Sequence, residues 1–277
     1  MNDIASSTSR AAELFRARYS QDQALLPSNG VIDLLLAHRS WRAFRPDPLP
    51  HGVLDTLVAA GQSAATSSSL QTWSVVAVED KARLARINEL VGGQRQIEEA
   101  PLTLCFIADL ARLAAIADGI PHKRDALDYF EMFLVAAIDA ALAAQNVCVA
   151  AESLGLGTCY LGALRNRPEE VAELLGLPPK AVGVFGLTIG YPDESRAPAI
   201  KPRLARSAVL HRETYDMTQA TAPVADYEQK LDVFNKRERN GQPLWSLRSS
   251  GRVAGAESLS GRDRLKAMLS RMGFALK

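Results

Sequence analysis

Hydrophobic positions along the chain fall into two periods, one of helices and one of strands. Leu54, Leu57 and Val58 recur at helical spacing and give way to Gly61, and 82–91 repeats that pattern before Gly92-Gly93-Gln94, where glycine terminates a helix. Residues 31–37 form a short apolar helix. Residues 73–79 read as a strand, 102–108 as a strand buried on both faces, and 182–191 as a third strand with internal glycines. Residues 155–164 pass from a glycine helix stop into a short strand or extended loop. Pro168, Glu169 and Glu170 make a favourable first helical turn, with Val171, Leu174 and Leu175 on one face and Gly176 after the end. The longest helix, 132–154, is rich in alanine and apolar nearly all round, which predicts cover on every side and a second copy of the chain packed along it.

Outside these elements, a helical stretch at 11–19 carries Leu14 and Phe15, which can dock on the body, and the Pro27-Ser28-Asn29-Gly30 turn sets it off as an arm. Helices at 224–239 and 262–272 follow the last strand. Strands alternating with helices indicate an α+β or α/β body. The expected organisation is an N-terminal arm at 1–30, a core at 31–215 and a C-terminal helical extension at 216–277. Two irregular segments stand out. Residues 64–73 include four consecutive hydroxyl side chains, Thr66 to Ser69, which compete with regular structure by bonding the backbone locally, so a loop with outward donors is expected. Residues 109–129 mix basic and acidic side chains and read as a mobile or partner-facing excursion.

Composition narrows the partners. With 277 residues, 47% hydrophobic and 23% charged, the chain can bury a sizeable core, and a formal charge of +1 gives no reason to expect nucleic acid or an anionic membrane. Asp139, Gln145, Asn146 and Glu152 argue against a membrane span at 132–154. The three cysteines, Cys105, Cys148 and Cys159, lie in apolar surroundings and read as core thiols of a reducing compartment, and no secretory leader is evident, so the cytoplasm is the expected location.

The candidate chemistry centres on His38-Arg39-Ser40-Trp41-Arg42-Ala43-Phe44. It sets two guanidinium groups three residues apart with a hydroxyl between them, a donor set suited to a phosphate. A solvated basic turn ending at Pro46-Asp47-Pro48 is the plain alternative. No His-Glu-x-x-His pattern or zinc-type cysteine spacing suggests a metal, and no Gly-x-Ser-x-Gly elbow suggests a serine hydrolase. Gly155 and Gly157 fail as a dinucleotide fingerprint because the third glycine position is Tyr160 and the motif follows a helix. The remaining cation and donor loops are Arg39 and Arg42, Ser67 to Gln71, Gln94, Tyr160 to Arg165, and Lys201 with Arg203. Flavin mononucleotide (FMN) needs that mixture: cations for its phosphate, amides and hydroxyls for its pyrimidine edge, and close backbone against one ring face.

From about Val31 to Trp245 the chain also resembles the oxygen-insensitive NADPH nitroreductase and flavin reductase group of the nitroreductase superfamily. The resemblance rests on His38-Arg39-Ser40-x-Arg42-x-Phe44, Ala65-Thr66-Ser67-Ser68-Ser69-Leu70-Gln71, Gly92-Gly93-Gln94, Ala144-Gln145-Asn146, Ala151-Glu152-Ser153-Leu154-Gly155-Leu156-Gly157, Tyr160-Leu161-Gly162-x-Leu164-Arg165-Asn166, Phe185-Gly186-Leu187 and Lys201-Pro202-Arg203-Leu204. It implies an α+β fold with a central mixed β-sheet flanked by helices, helical extensions, and an intertwined homodimer with FMN at its interface. It further implies that His38, Arg39, Ser40, Lys201 and Arg203 hold the phosphate end and that Arg42 reaches the pyrimidine edge. Ser67, Ser68, Ser69, Gln71 and Gln94 would bond the ring or ribityl chain, and Tyr160, Leu161, Gly162, Ala163 and Leu164 would line one face.

The implied activity is ping-pong hydride transfer through flavin N5, from NADPH or NADH to a small-molecule acceptor such as a nitroaromatic or quinone, with no obligatory catalytic side chain and no metal. A narrower reductase of the superfamily, such as a dehalogenase, and a flavin-binding sensor or carrier without turnover are the alternatives. Glu152, Gln145 and Asn146 are expected to satisfy one another or a dimer contact. Three departures from the family pattern bear on the site: Ala163 replaces a usual glycine, Ser69 a frequent asparagine, and the late basic residues Lys236, Arg237 and Arg239 do not align with the family's NADPH loop.

Overall fold

A computed structural model of the chain describes residues 3–20, 27–238 and 240–277, so the predicted helix end at Arg239 and residues 21–26 of the arm lie outside the described residues. The helices are α1 (Asp3–Tyr19), α2 (Gly30–Ala37), α3 (Val53–Gln62), α4 (Lys81–Leu90), α5 (Arg95–Glu99), α6 (Ala111–Asp118), α7 (Phe130–Ser153), α8 (Pro168–Leu175), α9 (Met217–Thr221), α10 (Val224–Arg237), α11 (Trp245–Arg252) and α12 (Leu265–Arg271). The strands are β1 (Trp73–Val78), β2 (Leu102–Asp109), β3 (Gly157–Leu161) and β4 (Ala181–Gly190). One body comprises Met1–Arg39 with Pro198–Ser258, and the other Ser40–Ala197 with Leu259–Lys277. The short α9 and α11 escape the sequence reading because sequences such as Trp245-Ser246-Leu247-Arg248-Ser249-Ser250-Gly251-Arg252 carry too few apolar residues to show a period.

The second body is built on a sheet of order β1-β2-β4-β3 in which every ladder is antiparallel. The expected mixed sheet is met only through an isolated parallel bridge, Ser40 to Thr158. The connection from β1 to β2 carries two helices, so the chain returns to the end where β1 finished and Val78 pairs with Thr103. β2 is buried on both faces as its sequence predicts, and its alternation feeds two cores. Leu102, Leu104, Phe106 and Ala108 join Leu57 of α3 and the alanines of α7, whereas Cys105 and Ile107 join Leu84 and Ile87 of α4 and Val171 of α8. All three cysteines are buried free thiols, and loss of hydration pushes Cys105 and Cys148 up to about 12.

Helix α7 is long and apolar enough to cross a membrane by length and composition, but Ala136, Ala140, Ala143, Ala144, Val147 and Ala151 pack into the sheet core. Within the chain its cover is one-sided, and Leu134, Ile138 and Leu142 form an exposed stripe at helical spacing. The charged segment 109–129 is anchored rather than a free excursion. It holds α6, whose Arg112 donates to the carbonyls of Gln71 and Trp73, each at 3.0 Å.

The loop between α3 and β1 is tied to α7 by one buried acid. Asp139 accepts from Thr66 Oγ1 at 2.6 Å, Ser67 N at 3.1 Å, Thr72 N at 3.1 Å and Thr72 Oγ1 at 2.9 Å. Burial pushes this carboxyl up, and the hydrogen bonds outweigh it, so it titrates below the ordinary aspartate range. Thr66 thus points inward, contrary to the expected outward set. The anchoring lets Ser68, Ser69 and Gln71 hold left-handed φ angles of 49°, 54° and 52°, which side chains with a Cβ adopt only under constraint.

A second acid, Glu99 at the end of α5, accepts the backbone N–H of Phe44 at 3.0 Å and both Arg196 Nη groups at 3.0 and 2.9 Å, and also pairs with Arg95. The Arg196 hydrogen bonds, with those from Phe44 and Arg95, hold it down to about 2.

In the first body Ala11 and Phe15 of α1 are buried, with Leu14 partly so, and Trp245 packs edge-on to Tyr227 of α10 at 5.5 Å.

Two variants test these anchors. Asp139→Asn faces amide hydrogens toward existing donors and is expected to lower the unfolding free energy by about 2–4 kcal/mol in urea titrations. Glu99→Gln should cost about 1–2 kcal/mol, given the partial exposure of its arginines. Because the folded carboxyl is depressed from 4.5 to about 2, the wild-type advantage over Glu99→Gln is complete above pH 4.5 and is lost as pH falls through 2.

Candidate functional site

The His38 to Phe44 stretch is an extended segment, not a surface turn. From Ser40 onward it runs beside the end of the sheet: Trp41 N donates to Thr158 O at 2.8 Å, Asp193 N to Ala43 O at 3.1 Å and Arg45 N to Tyr191 O at 2.9 Å. Side chains of an extended segment alternate, so Trp41 and Ala43 are buried while Arg42 is exposed. Two glycines make the docking possible. A Cβ at Gly157 would lie 2.8 Å from Trp41 Cγ, and one at Gly190 would lie 2.6 Å from Pro101 Cδ and 3.1 Å from Phe44 Cδ1.

Arg42 makes no hydrogen bond or ion pair among the described residues, and its charge reaches β3: burial raises the Cys159 thiol, and Arg42 opposes that rise. On the same strand end, Tyr160 leads into Leu161, Gly162, Ala163 and Leu164. The Tyr160 hydroxyl donates to Gln145 Oε1 at 3.4 Å, and burial pushes its pKa up. Leu161 and Leu164 are buried, so their side chains anchor the turn. Arg165 donates to the carbonyl of Val184, which the bulge between Phe106 and Ile107 leaves outside the β2–β4 register.

Ser67, Ser68, Ser69 and Gln71 are exposed, and their side chains make no hydrogen bond among the described residues. Ser69 and Gln71 line a cavity of about 460 Å³ with Thr66, Trp73 and Arg112. Gln94 stands apart from that loop: its N–H goes to Asn88 Oδ1 at 2.5 Å and its Oε1 accepts from Gln96 at 2.7 Å. A cavity of about 800 Å³ lined by Gly92, Asn166, Arg167 and Arg271 contains none of the predicted site residues.

The other cations belong to the first body. Arg39 Nη1 donates to Pro198 O at 3.3 Å, and Arg203 Nη1 folds onto the carbonyls of Lys201 and Pro202 at 3.4 and 3.3 Å. His38 and Lys201 are drawn together by a residue that the sequence reading passed over: Arg18 donates to the carbonyls of both, at 2.7 and 3.0 Å. Glu152, Gln145 and Asn146 do not bond one another. Glu152 accepts from Thr158 Oγ1 at 2.9 Å, and Asn146 donates to Ala60 O at 3.1 Å.

The sequence reading also missed Asp139 and Glu99. A signal existed for Asp139, a lone acid in an alanine-rich apolar helix, which must be hydrogen-bonded if buried. None existed for Arg18, which bonds backbone carbonyls distant in sequence, or for Glu99, whose partners Phe44 N and Arg196 are as distant.

Comparison with known proteins identifies the family. The nitroreductase family model matches residues 35–191, and the model for the nitroreductase family C-terminal domain matches 201–277. An FMN reductase [NAD(P)H] from Bacillus subtilis is 36% identical over 251 residues, 90% of this chain and 99% of that protein. An NADPH-flavin oxidoreductase from Vibrio harveyi is 35% identical over 229 residues, 82% of this chain and 92% of that protein. The crystal structure of nitroreductase A from Vibrio parahaemolyticus superposes with a TM-score of 0.80 at 34% identity, covering 90% of this chain and 100% of that one. A match across most of both lengths, with the docked Ser40 to Phe44 segment inside it, makes this chain a member of the nitroreductase family.

Proposed function

We propose that the chain is an FMN-dependent oxidoreductase that takes electrons from NADPH or NADH and passes them to small acceptors such as nitroaromatics and quinones. The observation that carries the reading is Arg42, an exposed guanidinium without a protein partner among the described residues, fixed on a segment docked beside β3. The donor chemistry fits FMN. His38, Arg39, Lys201 and Arg203, with Ser40, would hold the phosphate, while Ser67, Ser68, Ser69, Gln71 and Gln94 would bond the ring or ribityl chain. The backbone from Tyr160 through Leu161, Gly162 and Ala163 to Leu164 would lie against one ring face. The names of the curated relatives, an FMN reductase and an NADPH-flavin oxidoreductase, support the same cofactor and donor.

When bound, FMN would supply the redox chemistry, exchanging two electrons in ping-pong fashion between the reduced nicotinamide and the acceptor. The protein's part is orientation and charge. Arg42 places a cation where reduction adds negative charge, and its position is set by backbone pairing, so little reorganisation accompanies the charge change. The left-handed Ser68, Ser69 and Gln71 present donors from a loop that Asp139 holds rigid. No side chain need act as an obligatory acid or base.

The exposed Leu134, Ile138 and Leu142 stripe on α7 supports a homodimer, because a contiguous apolar ridge on a core helix loses hydration cost when a second copy covers it.

Purified protein is expected to carry a flavin absorption spectrum that bleaches anaerobically on addition of NADPH or NADH and recovers on addition of nitrofurazone or a quinone. A loaded protein that neither donor bleaches would refute the enzyme reading. Arg42→Ala should lower the midpoint potential of bound FMN by about 30 mV, equivalent to roughly 1.4 kcal/mol for a two-electron couple, since removing a cation disfavours the more negative reduced form. An unchanged potential in spectroelectrochemical titration would remove Arg42 from that role.

A further inference from the structure

Helix α1 ends in a buried arginine that holds together two segments of the first body. Arg18 is only 6% exposed. Its Nη2 donates to Leu36 O at 2.9 Å and His38 O at 2.7 Å, and its Nη1 to Lys201 O at 3.0 Å. The backbone closes the link, since Arg203 N donates to Arg18 O at 3.0 Å. Helix α1 is fixed at the same end by Lys230 of α10, whose ammonium donates to Tyr19 O at 3.2 Å.

The geometry follows from an unmet need at the end of α2. The last carbonyls of a helix lack intrahelical donors, and the partial negative charge there favours a cation. Helix α2 has no basic residue in its last turn. Arg18 supplies both the charge and the donors from another helix, and its planar fork spans two segments where a lysine ammonium would serve as a point charge. His38 and Arg39 follow directly from α2, and Lys201 and Arg203 flank the other attachment. The fork therefore ties the backbone at His38 to that at Lys201, the Arg18 carbonyl holds Arg203, and Arg39 is next along the chain from His38.

Helix α1 precedes residue 35, where the family match begins, and the Bacillus subtilis FMN reductase, covered over 99% of its own length, leaves a tenth of this chain unmatched.

We propose that Arg18 is a positioning residue for the cofactor phosphate: α1 carries a guanidinium that preorganises His38, Arg39, Lys201 and Arg203 for a phosphomonoester. This rests on the assignment of those four residues to the phosphate end of FMN. Arg18 reaches the carbonyls of Leu36, His38 and Lys201, so it acts on the backbone that carries the proposed phosphate ligands. Like-charged side chains brought together repel one another, and a scaffold that fixes their backbones reduces the reorganisation needed when the dianion arrives.

The test is flavin affinity of the full chain, read by fluorescence quenching, with FMN and riboflavin compared for wild type, Arg18→Gln, Arg18→Lys and Lys201→Ala. Arg18→Gln should weaken FMN binding about tenfold or more and leave riboflavin binding within about twofold, the range seen when residues that orient ligand-binding groups are removed. Arg18→Lys, which keeps the charge and part of the donor set, should fall between wild type and Arg18→Gln, and it serves as the reporter if the glutamine variant does not fold. Equal losses for FMN and riboflavin would mean general loosening and would overturn the proposal. So would unchanged FMN affinity in both Arg18 variants while Lys201→Ala loses it. Unchanged FMN affinity in Lys201→Ala would instead overturn the phosphate assignment itself.

Discussion

The main-chain pairing of Trp41 with Thr158 is the constraint on which the candidate site depends. A lone guanidinium on a loop samples many positions, but one on a docked extended segment inherits the rigidity of the sheet. Trp41 and Ala43 bury one face, which forces Arg42 to the other, and Glu99 fixes the far end by accepting the Phe44 N–H. The direction of the Arg42 guanidinium is thus decided by the apolar residues on either side of it.

Three buried or partly buried charged groups each tie irregular backbone to a distant part of the chain. Asp139 organises the hydroxyl loop, Glu99 the end of the docked segment, and Arg18 the junction of α2 with the Lys201 stretch. Each resolves the same problem. Irregular backbone beside a ligand site carries donors or acceptors that no ladder satisfies, and a single ion with several hydrogen-bonding positions can satisfy more than one of them. The hydroxyls at 67–69 and the guanidinium of Arg42, which have no protein partner among the described residues, are then available to a ligand.

Much of the fold was legible because β2 and α7 are extreme in composition. A run such as Leu102 to Ala108 can only be a strand covered on both faces, and it is. The antiparallel course of the sheet was not legible, since pairing direction depends on the path each connection takes and not on strand sequence. Chemically, the motif from His38 to Phe44 could be recognised as cationic, yet its extended form was hidden by the two prolines that follow it. Arg18, Glu99 and Asp139 were missed as anchors because each bonds at least one peptide group far away in the chain, and peptide groups look alike at every position of a sequence.

The close approach at Gly157 has an evolutionary corollary. The indole of Trp41 occupies the volume that any side chain at 157 would need, so the two positions hold one shared allotment of space. Neither can drift alone: a methyl at 157 demands a smaller ring or none at 41, and a smaller residue at 41 opens a void that only a larger one at 157 would fill. Within this lineage the two sites should therefore change as a pair, although 116 residues of chain separate them.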